Sequence, residues 1–393
     1  MNRAKRCHRM GNIPHLYVDA FRAFQEETED ERNTFILTHY HSDHYTGLPR
    51  NNAYKGPAKI HCTPITAQLL VEVHGISSEF VCSHKLGEVW YHSWEEKEDE
   101  HVKASASSRI CVAEMVFYCA NHCPGAALTL ARMMKDDAAL QFANGNFKSS
   151  VALSAKSISS VHVHCGDFRF NEGMKEYALL KESVNNCLVD NLYLDTTYSS
   201  PKHIFCPQEE AVNTIASQIE AFLTNTLGQR GKTLVLLSCY SIGKEKLLVE
   251  ACRRIRGNIY ANEQKRKLLK CTDPQFDFSL ADRLTTDPKT SALHVVPMGL
   301  AGKMFPFFVP NFESIYKYVD TIAYEDPPNR VVAIIPTGFA DASSYNRKHS
   351  MESKTVNGMR IETRTYPYSE HSSYSELVST VIMALDNYVN FAF

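Results

Sequence analysis

The sequence predicts two α/β lobes, and three observations lead there. At 393 residues the chain is too long for one small core. Its first half is a succession of short apolar runs separated by turn residues: 16–18, 35–37, 58–60, 115–118, 127–130, 161–163 and 192–194, each reading as a strand. Its second half alternates wholly apolar strands with helical periodicity, the pattern of a parallel sheet.

The elements between these runs follow in order. Pro64 to Val73 reads as a helix that starts on a proline, whose missing N–H costs nothing in a first turn. Ser93 to Arg109 is charged, then Ser/Ala-rich, and reads as a surface loop. Met134 to Ser160 is rich in Ser, Ala, Lys and Asn without a period, and reads as an enlarged loop between paired strands. Further on, Gln208 to Leu227 has helical spacing, Thr233 to Leu237 is a buried strand, and Lys244 to Cys252 is another helix. Val331 to Ile335 is a further buried strand, followed at once by Pro336-Thr-Gly338. Gly231-Lys-Thr233 is not a phosphate loop, because Thr226 stands where the first glycine is required.

Composition narrows the function classes. Hydrophobic content of 44% and charged content of 22% are those of an ordinary globular enzyme. A net charge of −2 gives no global attraction to phosphates, so any such attraction must be local. No apolar run approaches the ~20 residues of a membrane helix. The basic start Met1–Arg9 lacks the apolar stretch of a secretory leader and reads as a solvated terminus or a weak nuclear-localisation patch. Twelve cysteines without C-x-x-C imply free thiols in a reducing compartment, and are read as small core residues.

The chemistry concentrates in Thr38-His-Tyr-His-Ser-Asp-His-Tyr45. His39 and His41, two apart at the end of an extended strand, point the same way and can converge on one ion. Asp43 and His44 sit on the following turn, facing a second position. Imidazole and carboxylate donors without a thiolate suit a catalytic ion with an open coordination position. Further polar residues fall at strand ends: His122 in a Pro/Gly turn, Asp167 after Gly166, Asp195, and His371 between hydroxyls. Each taken alone is ordinary turn chemistry; together they gather where open sheets keep their active sites.

A set of segments then carries a resemblance: Tyr17-Val-Asp-Ala-Phe21, His39-x-His-x-Asp-His44, Ala120-Asn-His-Cys-Pro-Gly-Ala126, Gly166-Asp-Phe-Arg169, Leu194-Asp-Thr-Thr-Tyr198, Tyr240-Ser-Ile-Gly-Lys-Glu-Lys246, Pro336-Thr-Gly338 and Tyr368-Ser-Glu-His-Ser-Ser-Tyr374. In that order, over about residues 12 to 380, the chain resembles the DNA interstrand cross-link repair nucleases. These form the β-CASP branch of the metallo-β-lactamase fold that includes Artemis and Apollo. The resemblance implies an αββα sandwich (1–198 and 333–393) with an inserted α/β β-CASP domain (199–332). It implies that His39, His41, His122 and Asp167 hold a first metal, that Asp43, His44 and His371 hold or border a second, and that Asp167 bridges. It places Asp195 beside the site and gives Asp19 the task of orienting the metal loop. The implied cofactor is zinc, one ion or two, with a second position open to another divalent metal. The implied activity is 5′-to-3′ exonuclease cleavage of DNA by a monomer in the nucleus, away from membranes. Thr197, Tyr198, Thr337, Ser369 and Ser372 are the hydroxyl-bearing candidates for seating a terminal 5′ phosphate. The sequence departs from the family in the 45-position separation of His122 and Asp167, about twice that expected, and in ending at Phe393 soon after the last motif.

Other readings stay open. A structure-specific endonuclease of Artemis type and an RNA-processing β-CASP nuclease share the metals; the Tyr240–Lys246 segment favours the DNA branch. A small-molecule hydrolase needs no second lobe of this size, and a non-catalytic scaffold would not keep every ligand position filled. Arg253, Arg254, Arg256, Lys265, Arg266, Lys267 and Lys270 cluster within 18 residues, either as a solvated helix face or as a phosphate-tracking patch.

Overall fold

The structure, a computed structural model, describes residues 10–385 apart from 12, 22–31, 52, 57, 98–107, 145–152, 187, 225–231, 304–308 and 340–350. The basic start Met1–Arg9 lies outside the described residues. By internal contacts the chain divides into two units, Met1–Ser199 with Tyr374–Phe393, and Ser200–Ser373.

The first unit is built on two sheets. Strands β1 (Leu16–Val18), β2 (Thr34–Ile36), β3 (Lys59–Cys62) and β4 (Val81–Ser83) run parallel in that order. Strands β5 (Val89–Lys97), β6 (Ser108–Cys119), β7 (Ala127–Met134) and β8 (Ile158–His164) form an antiparallel meander, to which β9 (Val189–Tyr193) adds in parallel. Strand alternation decides which side chains meet between the sheets. Ala113, Met115 and Phe117 of β6 join Leu16, Val18 and Ile36 in one buried core. Glu114 and Tyr118, at the alternate positions, are buried on the opposite face of the sheet, where Tyr118 Oη accepts the Leu179 N–H of helix α3 (Ala178–Asn185) at 3.1 Å. Helix α1 (Pro64–Leu69) packs beside β4, and α2 (Asp136–Ala143) on β6. This is the αββα sandwich.

Two stretches differ from the sequence reading. The two ends of Ser93–Arg109 are strand rather than loop, β5 and β6 pairing Trp94 with Cys111 and Glu96 with Arg109, while 98–107 lie outside the described residues. Trp90, His92 and Trp94 are the buried alternate positions, and the polar His92 masks the period of two. Within Met134–Ser160, α2 buries Ala138 and Ala139, and its acidic first turn, Asp136 and Asp137, suits the positive end of the helix dipole.

The second unit carries a seven-stranded sheet, nearly all parallel. Its strands are β10 (Thr233–Cys239), β11 (Ile259–Ala261), β12 (Leu284–Thr285), β13 (Leu293–Pro297), β16 (Arg330–Thr337), β17 (Met351–Val356) and β18 (Met359–Pro367), in the order 12-11-13-10-16-18-17. A short ribbon, β14 (Gly302–Lys303) with β15 (Val309–Pro310), lies apart. Helices α4 (Gln208–Thr224), α5 (Glu245–Arg254) and α6 (Glu263–Thr272) cover one face; α7 (Met298–Ala301) and α8 (Phe312–Thr321) cover the other. The return to the first unit comes later than the division at 333: β16 pairs on both sides, Leu237 with Ile334 and Ile334 with Arg364, so its apolar side chains belong to this sheet. Among the described residues, the part that goes back is the last helix, α9 (Tyr374–Leu385), packing beside α3.

Candidate metal centre

Three loops of the first unit meet at the ends of β2, β6 and β8. The first leaves β2, and its Thr38 O accepts the Ala127 N–H at 2.9 Å, tying it to the start of β7. The second is the Asn121–Gly125 turn, closed by the Ala120 N–H on Ala126 O at 3.0 Å. The third holds Asp167 and approaches so closely that a Cβ on Gly166, at φ +57°, would stand 3.0 Å from Thr38 Cβ. Only glycine permits both that backbone and that approach.

The ligand atoms gather where these loops touch. His39 Nε2 lies 2.9 Å from His41 Nδ1, and His122 Nε2 lies 3.1 Å from the same atom. Asp167 Oδ2 is 3.3 Å from His44 Nε2, 3.6 Å from His39 Nε2 and 3.8 Å from His122 Nε2. Donors around an ion with bonds of about 2.0–2.1 Å stand roughly 2.9–3.4 Å apart, close to this spread. Three imidazole nitrogens crowded together gain little from one another, since one proton serves at most one contact; a cation satisfies all of them. His39 is fully buried and His122 nearly so, whereas His41 and Asp167 are half-buried, leaving one side open. The residues fit a divalent metal.

Behind them stands Asp19, in a left-handed conformation (φ 50°) just past β1. Its carboxylate accepts the Thr38 N–H at 2.9 Å and the Thr38 hydroxyl at 2.7 Å, and meets His44 Nδ1 at 2.7 Å. Burial opposes ionisation of Asp19, yet His44 and the Thr38 N–H hold its carboxyl below the usual carboxylate range. Burial likewise opposes a charged His44, but Asp19 and Asp167 outweigh it and push the imidazolium up to about 11. A metal bound through His44 Nε2 displaces that proton, so metal uptake there releases protons. Asp43 is exposed, its Oδ2 3.6 Å from His44 Nε2.

Asp195 is engaged locally: Oδ1 accepts the Thr197 N–H (2.9 Å) and hydroxyl (2.6 Å), and Oδ2 the Phe168 N–H (3.4 Å). Thr197 is exposed and Tyr198 buried. In the second unit, Thr337 closes β16, and its hydroxyl accepts the Phe339 N–H at 3.2 Å. Ser369, His371 and Ser372 lie on one turn after β18, where Ser369 Oγ accepts the His371 N–H at 3.0 Å and donates to His371 O at 2.9 Å. Glu370 anchors that turn, its Oε1 accepting the Lys244 N–H at 2.7 Å and the Tyr368 hydroxyl at 3.1 Å.

Comparison with known proteins bears on this geometry. Residues 278–386 match the family described as DNA repair metallo-beta-lactamase. The chain is 32% identical to DNA ligase 6 of Arabidopsis thaliana over 92% of its own length and 21% of that protein. It is 27% identical to the DNA cross-link repair protein pso2/snm1 of Schizosaccharomyces pombe, over 93% of this chain and 57% of the relative. The 5' exonuclease Apollo of Danio rerio is 24% identical over 87% of this chain and 45% of its own. The chain belongs to the DNA-repair metallo-β-lactamase family. It spans between about a fifth and somewhat over half of these relatives.

Reading the chain as a member of the DNA-repair metallo-β-lactamase family leaves one neighbour of the metal centre unread. Cys123, counted above as a core residue, lies with His39, His41 and His122 such that their donor atoms are all within 4.8 Å of one another. Its place beside His122 in the turn after β6 is the only sequence signal that could have drawn it in. The basic cluster, by contrast, divides. Lys265 is buried, its ammonium bonded to Glu245 at 2.9 Å and to Ser241 O at 3.0 Å, so it is withdrawn from any phosphate. Arg253 pairs with Asp277 and Glu250, and Arg254 with Glu250 and Asn213. Arg266 is half-buried, while Arg256, Lys267 and Lys270 are exposed.

Proposed function

We propose that this chain is a metal-dependent DNA nuclease, a 5′-to-3′ exonuclease that hydrolyses phosphodiesters during interstrand cross-link repair in the nucleus. The observation that carries the reading is the gathering of the His39, His41 and His122 donor atoms within 4.8 Å of one another, with Asp167 Oδ2 3.6 Å from His39 Nε2 and 3.8 Å from His122 Nε2. In this reading those four hold the first ion, zinc, and His44 with Asp43 and His371 borders a second divalent position. The unit after residue 199 serves as the β-CASP domain. A bound divalent ion supplies hydroxide near neutral pH and neutralises charge on the phosphate. Asp43, exposed at the mouth, orients the attacking water and takes up its proton. Asp19 fixes the loop from behind through Thr38 and His44. Asp195 acts as a positioning residue, presenting the Thr197 N–H and hydroxyl turn. Thr197, Tyr198, Thr337, Ser369 and Ser372 supply hydroxyls for a terminal 5′ phosphate, contacts that set register without reading sequence.

The test is digestion of end-labelled single-stranded DNA with and without a 5′ phosphate by the zinc-loaded protein. Cleavage from the phosphorylated end should be faster by about tenfold or more, the worth of one charge-assisted hydrogen bond of ~1.5 kcal/mol. Equal rates on both ends, or first cuts at internal hairpins, would instead make it an endonuclease of Artemis type.

The exposed lysines give a second check. If Lys267 and Lys270 each contact a phosphate, replacing both with alanine lowers the slope of log affinity against log salt by about 1.4–1.8. An unchanged slope returns them to the solvated surface.

A further inference from the structure

The sheet of the second unit reverses its direction of growth at β10. From β10 the chain passes through α5 to β11, on the β13 side; from β13 it passes through α8 to β16, on the opposite side of β10. The helices divide accordingly, α4 and α5 packing with Val235, Leu237 and Cys239, and α8 with Leu234 and Leu236. In an open α/β sheet such a reversal leaves a crevice beyond the carboxyl ends of the two strands, and ligands bind there.

This chain places two exposed aromatic rings at that crevice. Tyr240 directly follows β10 and is 39% exposed; Phe339 follows β16 by two residues and is 53% exposed. Between the two strand ends runs the buried Lys244 side chain. Its ammonium donates to Pro336 O in β16 at 2.6 Å and lies 4.5 Å from the Tyr240 ring centroid. The loop after β10 is thereby tied to the end of β16, and a cation stands against the Tyr240 ring. Thr337, at the end of β16, and Ser369, just after β18, bring hydroxyls to the same edge of the sheet.

We propose that Tyr240 and Phe339 are a stacking platform for the unpaired bases of a single-stranded DNA end. The inference rests on the nuclease reading above and adds the residues that hold the bases, which that reading leaves without a partner. Aromatic faces accept every base, so such a platform grips a strand without choosing a sequence. The Thr337 and Ser369 hydroxyls, which the reading above gives to a terminal 5′ phosphate, lie at the same end of the sheet as the two rings. An unpaired strand meets all of these at once, whereas the stacked bases of a duplex offer no free ring face.

The experiment measures binding of the metal-loaded protein to fluorescent phosphorothioate oligonucleotides, which resist cleavage. One carries bases throughout, and the other is abasic at its first three positions. Tyr240→Ala and Phe339→Ala should each weaken binding of the first by about tenfold, within the roughly 5- to 150-fold expected for one stacked base, and change the second less than about twofold. Tyr240→Trp should bind the first as tightly as the parent. Should Tyr240→Ala misfold, Phe339→Ala at its more exposed position carries the same comparison. Equal weakening on both oligonucleotides, or none on either, overturns the platform. A parent protein that binds and cleaves DNA while the variants fail to discriminate refutes the platform alone; a parent that binds neither oligonucleotide refutes the nuclease reading with it.

Discussion

Replacing His122 with alanine is expected to strip the protein of its tightly held metal and to abolish DNA cleavage at limiting metal. His122 Nε2 stands 3.1 Å from His41 Nδ1 and 3.8 Å from Asp167 Oδ2, so its loss removes one corner of the donor set and unbalances the rest. Residues that merely orient a ligand are worth about 10–100-fold in metal affinity, so a lost ligand should cost at least ~100-fold. Fold should survive, because the Asn121–Gly125 turn is closed by backbone hydrogen bonds and by the Thr63 hydroxyl donating to Gly125 O at 2.6 Å. Metal content by mass spectrometry, with cleavage of end-labelled DNA across a metal titration, decides the matter. A variant that keeps its metal and cuts at the parental rate would remove His122 from the site. The same titration should release protons on metal uptake, since His44 is held charged until an ion displaces its proton.

How much of this was legible in the sequence depends on how locally each feature is written. Leu16–Val18 was legible to the residue, and His39 and His41 converge as their spacing of two along an extended run requires. What joins His39 to His122 and Asp167 is tertiary: strands β6 and β8 must each end beside β2, and no local pattern states that. The resemblance supplied those partners. The β5 strand went unread because its buried face is Trp90, His92 and Trp94, a tryptophan–histidine alternation inside a charged stretch. Lys265 misled for a different reason. In sequence it is one more cation among seven, but helix α6 turns it inward onto Glu245, which α5 presents from the other side. Charge count cannot distinguish a solvated lysine from a buried, paired one; that takes the register of two helices. The segment Tyr240–Lys246 was legible as a family signature but not as physics. Its Lys244 is in fact a buried strut, with φ 67°, that holds the Tyr368–Ser373 turn through its own N–H and the end of β16 through its ammonium.

The largest stability loss is expected at Arg132, far from any chemistry. Its side chain and that of Glu114 are both fully buried, with Nη1 2.9 Å from Glu114 Oε1 and Nη2 3.0 Å from Glu182 Oε2. The same three residues hold the chain at the far end of the 145–152 segment: Glu114 accepts the Leu153 N–H at 2.8 Å, Glu182 the Ala155 N–H at 2.9 Å, and Arg132 donates to Leu153 O at 3.0 Å. Arg132→Met fits the space but leaves the Glu114 carboxylate uncompensated in the core, which costs about 3–5 kcal/mol. The loss should depend on pH in a definite direction. Burial already holds the Glu114 carboxyl above its ordinary value, against the opposing pull of the Leu153 N–H and Arg132. A raised folded-state pKa means the folded protein binds this proton more tightly than the unfolded chain does, so protonation favours folding. Without Arg132 the pKa rises further, and the deficit relative to the parent should be largest near pH 8 and shrink as the solution is acidified towards the pKa of Glu114. Thermal melts of parent and variant at pH 8 and pH 5.5 test this. A deficit of the same size at both values would mean that lost packing, rather than a stranded charge, sets the cost. The double variant Arg132→Met/Glu114→Gln, which removes the charge as well, should recover most of the stability at pH 8 and lose the pH dependence.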